Sequence, residues 1–396
     1  MKSQYRGFSF EAKHCTGLLA VAATVAVFLY MGVGAVAQSK STLSALPPTP
    51  QAPKDNPTTP AKVALGRLLF WDPLLSGPQD VACASCHHPQ NGYAEDRDLS
   101  LGVTAIGLGS KRRQAPGSSI PIVKRNAPTV LNIAFSGSDE SGRYDPATAP
   151  MFWDLRVKSL EKQALEPLKA HEEMRGTTYK EDEAVASVVA KLQANAEYRS
   201  LFAEAFGSEQ PVNAENLGRA IAAFERTLLA NNSPFDRYMR GDRSAMTEEQ
   251  VSGMRRFESV GCVKCHSGPM FSDYKLHVMG VPDNPALPAS DDGAEKTYAF
   301  RTASLRNLAF TAPYEHNGMF RTLSDVVGFY EDARGGRSRN PNVSSEKLDP
   351  LIRELGDFDE EDVDLVEFLR ALSDDSFDRT IPERVPSGLP VGGKIQ

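Results

Sequence analysis

Cys83-Ala84-Ser85-Cys86-His87 and Cys262-Val263-Lys264-Cys265-His266 are the two stretches on which the reading of this chain turns. Each is C-x-x-C-H, the attachment pentad of a c-type haem. Its two thiols are spaced to add across the haem vinyl groups, and the adjacent imidazole is held where it can ligate iron. The chain has five Cys and seven His in 396 residues, so two complete pentads are not a compositional accident. A zinc ribbon would pair its C-x-x-C with ligands elsewhere, and a redox dithiol would sit in a βαβ setting. The histidine that directly follows each pair favours haem. The spacing therefore predicts two covalently bound haem c groups on Cys83, Cys86, Cys262 and Cys265, with His87 and His266 as axial ligands of iron.

The bulk numbers fit that picture without sharpening it. Charged residues at 24% and apolar residues at 41% are those of an ordinary globular protein. A net charge of −7 argues against nucleic acid as a partner. Lys2, Arg6 and Lys13 precede an apolar run from Gly17 to Tyr30, and Ala35-Val36-Ala37 follows, so residues 1–37 read as a secretory signal cut after Ala37. The competing reading is a retained anchor, because apolar residues continue almost unbroken to Ala37, near the length that spans a bilayer. Either way the body is exported, which places it in the periplasm. The fifth cysteine, Cys15, falls in this leader, so no thiol is left for a structural disulfide.

Beyond the leader, residues 38–60 are rich in Ser, Thr and Pro and read as a disordered tail. Order begins with a short helix at Ala61-Lys62-Val63-Ala64-Leu65-Gly66. Segment 97–125, with the basic run Lys111-Arg112-Arg113, reads as a long loop of the functional or mobile kind. Leu217, Ile221, Phe224 and Leu228 form one stripe of an amphipathic helix. Thr247-Glu248-Glu249-Gln250 is a capping box opening a helix with Val251, Met254 and Phe257 inward. Asp359 is expected to cap a last helix with Val363, Val366, Leu369 and Leu372 on its apolar face. No alternating strand pattern stands out. The fold class is mostly α: two cytochrome c-like haem domains, 61–235 and 236–385, packed against each other with long loops.

What lies on the second face of each haem decides its chemistry, since a strong sixth ligand makes an electron carrier and an open face makes a reactive site. Here a resemblance enters. Phe70-Trp71-Asp72-Pro73-Leu74-Leu75-Ser76, Arg125-Asn126-Ala127-Pro128-Thr129-Val130-Leu131-Asn132, Phe152-Trp153-Asp154 and Leu160-Glu161-Lys162-Gln163-Ala164 are similar to motifs of the bacterial dihaem cytochrome c peroxidase family. So are Ala223-Phe224-Glu225-Arg226-Thr227-Leu228, Ser233-Pro234-Phe235-Asp236 and the run from Ser304 to Gly318 that includes Thr311-Ala312-Pro313-Tyr314. The resemblance spans residues 61–375 and implies an oxidoreductase that reduces hydrogen peroxide at the N-terminal haem.

The family places a Gln and, ten residues later, a Glu in the pocket facing that haem. The matching positions are Gln163 and Glu173, with His171 and Glu172 as neighbouring rivals. A single carboxylate can take the proton from one peroxide oxygen and return it to the other. The chain has no histidine between His88 and His171, where typical members carry one that blocks the peroxide face. His88 itself reads as a surface residue. This implies an open N-terminal haem, as in the MauG-like subgroup. Counting from Thr311 to the family's sixth-ligand position gives Tyr330, again the MauG-like choice, with Met319 and Met279 as alternatives. An anionic phenolate favours oxidised iron and lowers the potential. Trp153 matches the inter-haem tryptophan, which the family uses as an electron relay, and Asn126, Thr311 and Pro313 match residues that hold Ca²⁺.

One departure stands out. The subgroup's surface Trp two residues before the second pentad is Val260 here, and Tyr274 and Tyr298 are unsupported substitutes. The expected electron source is a small redox protein, either cytochrome c or a cupredoxin. The alternative is a protein substrate whose side chains are modified, and a non-catalytic dihaem carrier is the lesser one. A homodimer is compatible with the resemblance.

Overall fold

The computed structural model describes residues 42–396 apart from Ser208. The expected signal segment, and its reading as an anchor, lie outside the described residues. Among the described residues no helix is long and apolar enough to cross a membrane.

The described chain is mostly helix and loop. Its α-helices are α1 (Pro60–Trp71), α2 (Cys83–Cys86), α3 (Leu160–Gln163), α4 (Glu166–Lys169), α5 (Ala184–Ala194), α6 (Ala196–Phe206), α7 (Ala214–Glu225), α8 (Pro234–Met239), α9 (Glu248–Ser259), α10 (Leu323–Arg334) and α11 (Val363–Arg370). Three two-residue antiparallel ribbons complete it: β1–β2 (Ala105–Ile106 with Arg113–Gln114), β3–β4 (Pro150–Met151 with Val157–Lys158) and β5–β6 (Leu276–His277 with Phe300–Arg301).

Apolar spacing builds a similar helix pair beside each pentad. α1 crosses α7 where Gly66 faces the Ala220 carbonyl so closely that a Cβ would sit 2.0 Å from that oxygen. α9 crosses α11 in the same way, with Gly253 against the Asp364 carbonyl at 1.9 Å from such a Cβ. Glycine at each crossing lets two backbones meet where any side chain would hold them apart. Around the first pair gathers a core of Leu65, Leu69, Leu217, Ile221, Tyr198 and Phe202. Around the second gathers one of Phe235, Phe257, Phe271, Phe368, Leu369 and Leu372.

The structure corrects several expectations. The stretch read as a disordered tail is packed from residue 42 onward. Leu43 and Leu46 are buried, the Leu46 N–H donates to Asp236 Oδ1 at 2.9 Å, and Asn56 Nδ2 donates to Glu161 Oε1 at 2.9 Å. Prolines limit the freedom such a strand has to lose, and its few apolar residues find pockets. α11 is capped by Asp362, not Asp359, and Val363 at its start is 67% exposed. The division at residue 385 falls inside a segment that returns to the first half: Phe377 and Val385 share a cluster with Phe70, Trp71 and Phe224. There Gly392 N–H donates to Trp71 O (2.8 Å) and Lys394 N–H to Asp80 O (2.9 Å).

Candidate haem sites

α2 is a single helical turn that brings Cys83 and Cys86 onto one side, with both thiols unpaired. His87 follows as its C-cap, its N–H donating to Cys83 O at 2.9 Å. The imidazole Nδ1 lies 3.1 Å from the Tyr93 carbonyl. A carbonyl accepts only, so Nδ1 carries the proton and Nε2 keeps its lone pair for a metal. The second pentad repeats this: His266 Nδ1 lies 2.9 Å from Phe271 O, and the His266 N–H donates to Cys262 O at 2.9 Å. Burial pushes both imidazoles below their usual pKa, which keeps them neutral and able to ligate. Burial pushes Cys83 and Cys262 the other way, to about 12. Such thiols are unlike the low-pKa pair of a redox dithiol and suit covalent attachment to an apolar macrocycle.

His88 is not a surface residue. It is buried, meets the Trp71 ring edge-on at 5.4 Å, and accepts from Gln90 N–H at 3.2 Å.

Glu173 sits in a π-helical turn, His171–Arg175, that follows α4. Such turns recur at functional sites because the wider ring re-aims a side chain. Its charge reaches both Cys83 and Cys86, pushing their pKa values up. Burial, reinforced by Glu172, raises the Glu173 carboxyl to about 7. The turn is fixed from behind by the loop over 97–125: Val103 N–H donates to Glu173 O at 2.8 Å. A Cβ on Gly102 would lie 2.1 Å from Glu172 O and 2.2 Å from Glu173 O. Gln163 ends α3 and is half-buried.

Sequence reasoning missed what holds that loop. Arg112, inside a run of three basic residues, is 1% exposed. Its guanidinium donates to Ser85 O inside the pentad (2.7 Å) and to Gly102 O behind Glu173 (3.3 Å). Glu95 faces it at 4.0 Å, also buried, with burial raising its carboxyl to about 7. No residue-type signal marks these two, because charged residues in a loop ordinarily face water.

The second pentad opens on an apolar cavity of about 250 Å³ lined by Cys262, Cys265, His266, Met279, Leu323 and Tyr330. Tyr330 comes from α10, and burial, with Glu315 next in effect, pushes its phenol well above the ordinary value. Met279 lines the same cavity, whereas Met319 belongs to the neighbouring cluster around Phe320 and Phe329. Trp153, Asn126, Thr311 and Pro313 also line it. The Trp153 indole N–H donates to Asn126 O at 3.1 Å. Asn126 Nδ2 donates to Arg97 O at 2.9 Å, which leaves Oδ1 as its acceptor. For a hard cation this offers neutral oxygens without a carboxylate. Val260, where the subgroup has a surface Trp, is 2% exposed.

One further cluster, Cys265, Asp273 and His277, has metal-like spacing. Its sulfur belongs to the pentad, and both His277 nitrogens already face carboxylates, Asp349 at 2.6 Å and Asp273 at 3.1 Å. It is an ion cluster on the cavity wall.

Residues 60–244 match the family model for di-haem cytochrome c peroxidase. Methylamine utilization protein MauG of Methylorubrum extorquens is 35% identical over 337 residues, covering 84% of this chain and 83% of that protein. The chain belongs to the dihaem cytochrome c peroxidase family. Cytochrome-c peroxidase IdrP1 of a Pseudomonas species is likewise 35% identical, over 84% of this chain and 85% of its own length. Cytochrome c551 peroxidase of Pseudomonas aeruginosa is 32% identical, over 73% and 77%. Among solved structures, a MauG-like protein associated with microbial copper homeostasis superposes with a TM-score of 0.66 at 28% identity, covering 84% of this chain and 95% of that one. Family membership makes the protein an oxidoreductase acting on peroxide, with two haem c groups. The two pentads, with neutral imidazoles and half-buried thiols free of disulfides, fit them.

Proposed function

We propose that the protein reduces hydrogen peroxide to water at the haem held by Cys83, Cys86 and His87, and that the haem held by Cys262, Cys265 and His266 stores or relays the oxidising equivalents. The observation that carries this reading is Glu173: a half-buried carboxyl that burial raises to about 7, whose charge is felt by Cys83 and Cys86 and whose carbonyl is pinned by Val103. A group with that pKa can both accept and return a proton near neutral pH. Haem c, when bound there, supplies the two electrons that cleave the O–O bond. Glu173 would take the proton from one peroxide oxygen and deliver it to the other, which leaves as water. Two further protons, with two electrons from the donor restoring those spent on the O–O bond, complete the second water. Gln163 orients the peroxide by its amide.

Tyr330 would hold the iron of the second haem in this reading, with Met279 as the rival on the same wall. Bound as phenolate, it favours the oxidised state of that haem. Trp153 carries electrons between the two sites. Asn126, Thr311 and Pro313 would hold a Ca²⁺ ion, whose preference is for oxygen ligands. The protein works in the periplasm, and electrons come from a small cytochrome c or cupredoxin. Modification of side chains on a partner protein is the second reading. The buried aliphatic Val260 supplies no surface aromatic relay for it.

The test is Glu173→Gln in the diferric holoprotein. The expected result is a loss of peroxide turnover by about two to four orders of magnitude with both haems retained. Turnover within threefold of the parent would refute the role of Glu173. A covalently altered partner after peroxide treatment would select the second reading.

A further inference from the structure

The wall of the second haem cavity carries a guanidinium without an anion. Arg301 ends β6 and lines that cavity. Its side chain makes no hydrogen bond to any described residue, its Nε is buried without a partner, and no carboxylate lies within ion-pair distance. The acids around it are engaged elsewhere. Asp154 is held by Arg125 at 2.7 Å and Arg156 at 2.8 Å. Asp291 is held by Arg125 at 2.6 Å, and Asp273 and Asp349 by His277. What remains beside Arg301 is the Tyr274 ring, 6.0 Å from the guanidinium carbon.

Burying a cation without a counter-ion is costly, and arginine is the residue suited to forked pairing with a carboxylate. On the same wall His316, 4% exposed, has an unpartnered Nδ1 and stacks on Phe300 at 3.6 Å and 13°.

We infer that Arg301 and His316 are the clamp for a propionate carboxylate of the haem held by Cys262, Cys265 and His266. Haem c brings two carboxylates into a cavity where no protein carboxylate lies within ion-pair distance of Arg301. Arg301 supplies the charge and the fork, and His316 supplies a second N–H donor.

The clamp is also wired to the indole between the haems. Arg301 N–H donates to Trp153 O at 2.7 Å, Trp153 Nε1–H to Asn126 O at 3.1 Å, and Asn126 N–H to His316 O at 2.7 Å. The His316 and Trp153 rings meet edge-on at 6.5 Å. Both clamp residues are therefore positioning residues, which hold the haem edge in register with Trp153. The inference rests on the reading of the second pentad as a haem site.

The test is spectroscopic reductive titration of the holoprotein, with haem content measured for every variant. In Arg301→Gln both haems should remain attached. The reduction equilibrium of the low-spin haem should shift about tenfold toward the ferric form, as expected for losing a charged hydrogen bond to the propionate. The other haem should titrate as in the parent. Arg301→Lys keeps the charge without the fork and should fall between the two, and His316→Phe should shift the equilibrium in the same direction by less. If Arg301→Gln does not accumulate, Arg301→Lys alone decides. With both haems present, a Gln or Lys variant that titrates like the parent overturns the clamp. A parent protein without haem on Cys262 and Cys265 would instead overturn the haem reading beneath it.

Discussion

Gly102→Ala tests whether the loop over 97–125 sets the position of Glu173. A Cβ there would lie 2.1 Å from Glu172 O and 2.2 Å from Glu173 O, and 2.6 Å from Glu173 Cα. Ordinary carbon–oxygen contact requires more than 3 Å, so the π turn must retreat by about 1 Å or the loop must lift by as much. Neither side is soft. Glu173 O is held by Val103 N–H at 2.8 Å, and Gly102 O by Arg112 at 3.3 Å. A displacement of that size at a proton-transferring group costs roughly a hundredfold in rate, and the overpacking costs about 1–3 kcal/mol of stability. The assay is steady-state peroxide reduction, with haem content and unfolding midpoint measured in parallel. Gly335→Ala is the control, because its Cβ would come no nearer than 3.3 Å to another atom. A Gly102→Ala protein with both haems and parental turnover would refute the reasoning.

Tyr330→Phe should convert the low-spin ferric EPR signal of the second haem to high spin; an unchanged low-spin signal would assign the ligand elsewhere, with Met279 next. Trp153→Phe should slow electron sharing between the haems, read as two independent haem reductions in a titration, while leaving haem content intact. Stability should also depend on pH. Burial raises Glu95, Glu173 and Glu315 to about 7 and Glu225 to about 8, from 4.5. The folded state then holds protons that the unfolded chain releases, so stability should fall as pH rises from about 4.5 toward 8. Urea midpoints at the two ends of that range check the sign. Glu225→Gln should flatten the slope, since its Oε2 is buried without a partner.

The haem attachments were legible because the chemistry requires contiguous residues, and no packing can substitute for C-x-x-C-H. Helices α7 and α9 were legible from periodicity and, for α9, from Thr247, whose hydroxyl accepts from Gln250 N–H. What escaped was set by tertiary context. His88 reads as a polar neighbour of a ligand, yet Trp71 covers it. Arg112, Glu95 and Arg301 look like solvated charges, and only the fold shows them facing a pentad or a haem cavity. The π turn at Glu173 has no sequence pattern of its own, because it arises where α4 meets the Gly102 loop. Asp362 displaced Asp359 as the α11 cap, a choice between two acids three residues apart that composition cannot rank.

The returning C-terminus bears on how the protein is made. Ser85, between the two thiols of the first pentad, donates its hydroxyl to Gly392 O at 2.8 Å, and Gly393 pairs with Val81. The enclosure of the first haem site is thus completed by residues 307 positions further along the chain. A stop codon or a bulky tag near residue 390 would therefore be felt at the haem farthest from it in sequence, the one encoded first.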